Sequence, residues 1–193
     1  VPVLLSMLVL VFEMRDQLKA NLPETRMQLY EMAIRGAIAK TLNKNQKENK
    51  DQNEADIQRA KQMLLRVAVA NMEDKQRREF NANHVREVLE QFPDERQWWD
   101  RLQHDGELPL IKVLTEGDAY EKAEFQFAHL SFQEALFALH LEATAASWSG
   151  WDTDDAAAHF MSNPSHENTC RIGGDELGSA LGQRRPSWDL SSA

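Results

Sequence analysis

Between Glu124 and Ala146 the hydrophobic period changes from 2 to 3.6 within three residues, and few folds accommodate that change. Glu124, Gln126 and Ala128 alternate with Phe125, Phe127 and His129, the pattern of a half-buried strand. Ser131 and Glu134 then stand at capping-box spacing, the hydroxyl set to take a free helix N–H and the carboxylate to reach back. Phe132, Ala135, Leu136, Leu139 and Ala143 follow at helical spacing. A strand therefore turns directly into a helix with an imidazole at the junction. His129 shares a strand face with two phenylalanines, so the alternation predicts that it points inward. It is then either a core histidine bonded to a backbone carbonyl or a contact to something bound between domains.

Upstream, the chain reads as a series of helices. Residues 1–12 are almost wholly apolar. A membrane span needs about 20 such residues, and Glu13 and Arg15 interrupt this run too early. It lacks the basic start and small-residue cleavage site of a secretory signal. It reads as a helix buried on all sides, with Pro2 in its first turn. A first residue of valine fits a processed chain or a piece of a longer one. Thr25 and Gln28 make a second capping box, opening a helix with Met27, Tyr30, Ile34, Ala37 and Ile38 inward. Residues 43–54 contain no apolar side chain and read as a polar linker or insert, or as a solvated continuation of the flanking helices.

Ile57, Met63, Leu64, Val67 and Met72 mark a third helix, and Val85, Val88, Leu89 and Phe92 a short fourth, capped by Asn81 or Asn83 and ended by Pro93. Asp94 and Gln97 cap a fifth that carries Trp98, Trp99 and Leu102 and stops at Gly106. Of the two tryptophans, one is expected in the core and one at the surface. Leu108–Thr115 and Ala123–His129 form a β-hairpin. The order predicts a mainly α chain: a helical unit over residues 1–42, the polar linker, a winged-helix domain over 55–146 with one hairpin, and a disordered or irregular tail over 147–193. The tail holds five of the eight glycines. Its His159, His166 and Cys170 match no zinc-ligand spacing, so no metal site is expected.

Charge narrows the function classes. The formal net charge is −9, and the helices that would enter a groove carry Glu134 and Glu142, or Arg86 offset by Glu87 and Glu90. Nucleic-acid binding needs a basic face, so neither nucleic acid nor membrane is an expected partner. The single cysteine fits a reducing, cytoplasmic setting.

Three segments carry a family likeness. Residues 125–135 (FQFAHLSFQEA) resemble the F-x-F-x-H-x-[ST]-F-Q-E-[FY] signature closing the winged-helix domain of NACHT-family NTPases. These are STAND-class P-loop ATPases that include the NOD-like receptors. Residues 2–8 (PVLLSML) resemble the N-P-L-x-L-x-x-L stretch opening the helical domain after the family's ATPase core. Residues 22–30 (LPETRMQLY) resemble its L-P-x-x-R-x-x-L-Y motif. The likeness covers about residues 1–146. It implies that His129 reaches the β-phosphate of ADP, that Pro2 packs on the adenine, and that the parent protein binds ATP or ADP with magnesium. It implies as partners the ATPase core of the same parent and further copies on activation, in a signalling role of the innate-immunity type. For Pro2 the plainer reading is a helix-start proline.

The departures limit the chemistry. No G-x-x-x-x-G-K-[ST] occurs, nor a Walker B strand; Val1 replaces the usual asparagine and Ala135 the usual aromatic. Phosphoryl transfer depends on those positioning groups, so the chain alone is expected to bind no cofactor and to hydrolyse no ATP. The resemblance thus predicts the regulatory part of a nucleotide-dependent switch. The alternatives are a nucleotide-independent interaction module and, with less support, a DNA-binding winged helix.

Overall fold

The computed structural model describes residues 7–9, 11, 22–42, 50–73, 77–115 and 123–184. Local signals set several helix ends. Thr25 Oγ1 accepts from Gln28 N at 3.2 Å while Gln28 Oε1 accepts from Glu24 N at 2.9 Å, so the capping box opens α1 (Arg26–Leu42) as its residues predict. Helix α2 (Lys50–Glu73) buries Ile57, Met63, Leu64, Val67 and Met72 along one side. Its first turn occupies the end of the supposed linker, where Arg35 pairs with Glu54 at 2.6 Å; residues 43–49 lie outside the described residues.

A strand that the sequence did not announce follows: β1 (Glu79–Asn81). Asn81 then caps α3 (Ala82–Val88), accepting from His84 N at 2.9 Å. Pro93 does not end this helix but begins the next, α4 (Pro93–His104), at a position where its missing N–H costs nothing. The cap residue there is Phe92, without a side-chain bond, so the expected Asp94–Gln97 cap is not made. Gly106 closes α4 at φ +70°, with Gly106 N on the Gln103 carbonyl and Glu107 N on that of Leu102, a Schellman stop. Both tryptophans are buried, Trp98 as well as Trp99; the guanidinium groups of Arg59 and Arg101 lie over the Trp98 ring.

Strands β2 (Ile111–Thr115) and β3 (Glu124–Phe127) complete an antiparallel sheet of order β1-β3-β2. Phe125 is opposite Phe80 on one side and Val113 on the other. The chain is thus mainly α with a small antiparallel sheet, as expected, with one strand more than the hairpin.

Helix α5 (Leu130–Thr144) runs through the middle of the protein. Every residue from Phe132 to Ala138 is buried, so it is not the one-sided amphipathic helix that its spacing suggested. Besides α1 and α2, what covers it is the segment expected to be disordered or irregular. Residues 149–151 and 164–166 form short 3-10 turns around α6 (Asp154–Ser162), and α7 (Glu167–Arg184) packs along α5 and α1. The tail's apolar residues are sparse but placed: Trp151, Phe160, Leu177 and Leu181 join Phe137 and Leu141 in a second core cluster. Glycine and serine between them hid the helical period, and Gly174 bends α7 at φ +49°.

The main core joins Met7, Val11 and α1 to α2, the sheet and α5 without a break. The first segment is not buried all round: Met7 and Val11 face inward, while Leu8 and Val9 are exposed. Among the described residues no helix is long and apolar enough to cross a membrane.

Candidate functional site

The junction of β3 and α5 is built by strand pairing below and helix initiation above. Ala128 N donates to the Leu110 carbonyl at 2.7 Å, the last bond of the hairpin, and Leu110 takes φ +61° to present that oxygen. His129 follows in extended conformation (φ −140°, ψ 138°) as the cap residue of α5, and its carbonyl accepts from Phe132 N at 3.0 Å. The strand ends at Phe127, two residues before the imidazole, so alternation no longer governs its direction. His129 is exposed, which corrects the expected inward orientation. Its ring rests 6.2 Å from that of Phe132, tilted by 55°. Among the described residues, no hydrogen bond to the ring is found.

The helix end beside it is bare. His129 makes no side-chain cap bond, and no acidic residue occupies the first turn of α5. The predicted Ser131–Glu134 capping box is not formed, because the helix starts two residues too early, with His129 and not Ser131 at the cap. Ser131 Oγ lies buried without a partner. Glu134 is drawn away: its Oε2 accepts from Asn168 Nδ2 at 2.5 Å, on α7. Burial raises the Glu134 pKa, opposed by the Asn168 bond and the charge of Arg78. The positive dipole end of α5 therefore carries neither a side-chain cap nor an acidic residue in its first turn, next to an exposed imidazole. That combination favours an anion.

A buried polar network holds α5 in place. Asn71 Nδ2 donates to Gln133 Oε1 at 3.1 Å, Gln133 Nε2 to the Arg77 carbonyl at 3.0 Å, and Asn71 Oδ1 meets His84 Nε2 at 2.9 Å. The sequence gives no cue for this network, since its members lie on three elements and each is an ordinary surface residue type.

Pro2 lies outside the described residues. Cys170 is half-buried and its thiol pKa is pushed up by burial, and the His166 Nδ1 lies 3.3 Å from the Phe160 carbonyl. Among the described residues no three His, Cys, Asp or Glu side chains are placed to hold a metal ion. Comparison with family models, with curated proteins and with solved structures gives no match.

Proposed function

We propose that the chain is the regulatory part of a nucleotide-dependent switch of the NACHT type, acting in the cytoplasm against a phosphate-loop ATPase module of the same parent protein. The observation that carries it is the exposed His129 imidazole at the uncapped start of α5, where the NACHT-like motif implies a phosphate contact. A phosphate oxygen suits both groups: the imidazole N–H donates to it, and the helix end attracts its charge. ADP, with magnesium in the ATPase module, is the ligand the resemblance implies. This chain supplies no group for the transfer step.

A single hydrogen bond of about 2 kcal/mol shifts a two-state population roughly 30-fold, short of the approximately 10⁴ needed to reverse it. Packing of the two modules must contribute the rest. The test is ADP release from the parent protein. His129→Ala should speed it about tenfold or more, and an unchanged off-rate would remove the role.

One feature favours an interaction module that uses no nucleotide: Leu8, Val9 and Leu22 are 37%, 51% and 48% exposed. Sedimentation of the chain separates the readings, since a concentration-independent monomer counts against that alternative.

A further inference from the structure

The segment that encloses α5 also encloses a cleft. It lies between the end of α2, the middle of α5 and the turns on either side of α6, with a volume of about 400 Å³, within the size range of small-ligand sites. Its floor is a cluster of rings packed on one another, in which Phe137 and Phe160 are buried and Trp148 is half-buried. Trp148 stands at 85° to Phe137 with centroids 6.4 Å apart, and at 78° to Phe160 at 5.0 Å. His166 stacks on Phe160 at 4.4 Å and meets Phe137 at 5.9 Å. Trp148 is held in place: a Cβ on Gly150 would run into its indole, so only glycine lets that ring lie where it does.

Among the described residues of the lining one carboxylate, Glu73, stands exposed at the rim, and its charge is felt as far as His140. His166 is kept neutral at physiological pH, because burial lowers its pKa. His159, also on the rim, is the remaining titratable group of the lining. Among the described residues the lining thus offers an indole surface and one carboxylate.

We propose that this cleft binds an organic cation of the alkylammonium class, seated against the half-buried Trp148 indole with Glu73 as its counter-ion. Ring faces carry negative potential and attract a poorly hydrated cation, and the carboxylate selects it over a neutral molecule of the same shape. The site is independent of the His129 contact.

The test uses the ¹⁵N-labelled chain at pH 8, titrated with tetramethylammonium chloride and, separately, with tert-butanol as a neutral analogue. The Trp148 indole cross-peak is identified by its loss in Trp148→Phe, or by sequential assignment if that variant does not fold. The expected result is a saturating shift of this peak with the cation, several-fold smaller with tert-butanol, and an affinity about threefold weaker in Glu73→Gln. Glu73→Gln changes only an exposed side chain, so it leaves the fold intact. Nε-trimethyl-lysine amide binding more tightly than tetramethylammonium would identify a modified polypeptide side chain as the source; the reverse would identify a free small cation. Absence of a saturating shift, equal shifts with tert-butanol, or unchanged affinity in Glu73→Gln would overturn the proposal.

Discussion

Asn71 on α2 and Gln133 on α5 are 62 positions apart, both fully buried, and joined by a 3.1 Å hydrogen bond from Asn71 Nδ2 to Gln133 Oε1. Through His84 and the Arg77 carbonyl the same pair reaches α3 and the connection leading to β1. Such a network stabilises only while complete, since each partner left without its bond keeps its desolvation cost. Asn71→Ala removes bonds from both Gln133 and His84, and should lower the unfolding free energy by about 3 kcal/mol. Urea denaturation followed by circular dichroism measures it. A loss below about 1 kcal/mol would mean the network is dispensable.

Thr25 serves two elements. Its hydroxyl oxygen caps α1, and the same hydroxyl donates to Glu176 Oε1 on α7 at 2.8 Å. Thr25→Ala should cost about 1–2 kcal/mol, while Thr25→Ser should cost less than half as much. Equal losses in the two variants would show that the methyl group, not the hydroxyl, matters.

Glu134 makes the protein less stable as pH rises. Its pKa is raised chiefly by burial, so the folded chain holds a proton that the unfolded chain has released. Stability from this group is full below the ordinary carboxylate pKa of 4.5 and is lost as pH climbs through the raised value. Glu134→Gln keeps an oxygen for Asn168 and removes the titration. Its advantage in melting temperature over the parent chain should grow between pH 4.5 and 7. A constant difference across that range would contradict burial as the cause.

His166 acts in the opposite sense. Burial lowers its pKa, so protonation must occur on a ring stacked against Phe160 in the second core cluster. The unfolded chain takes up protons first, and stability falls as pH drops below about 6.5. Melting temperatures at pH 7.5 and 5 should differ less in His166→Gln than in the parent chain. Some slope should remain, because His140 is shifted in the same direction by burial. An identical slope would show that His166 does not titrate between these limits.

What was legible in the sequence was local. The Thr25–Gln28 box, the Asn81 cap and the Gly106 stop are settled by residues within five positions of one another, and each forms as spaced. The inward stripe of α2 and the Phe125–Phe127 pair of β3 were equally clear, because burial follows the 3.6 and 2.0 periods of the elements themselves.

The rest depended on distant partners. β1 is three residues long, too short for a period, and exists because Phe80 meets Phe125 across 45 positions. Ser131 and Glu134 had the spacing of a cap, yet Asn168, 34 residues on, took the carboxylate and the helix began at Leu130. The tail looked structureless by composition, but its α7 covers a side of α5 that α1 and α2 leave open. His129 kept its place in the sequence pattern and lost its expected direction once the strand ended at Phe127. Sequence alone determined where α1 to α4 form and which of their faces are apolar. Tertiary structure decided which polar groups are buried and which imidazole meets solvent, because desolvation depends on atoms brought together from far along the chain.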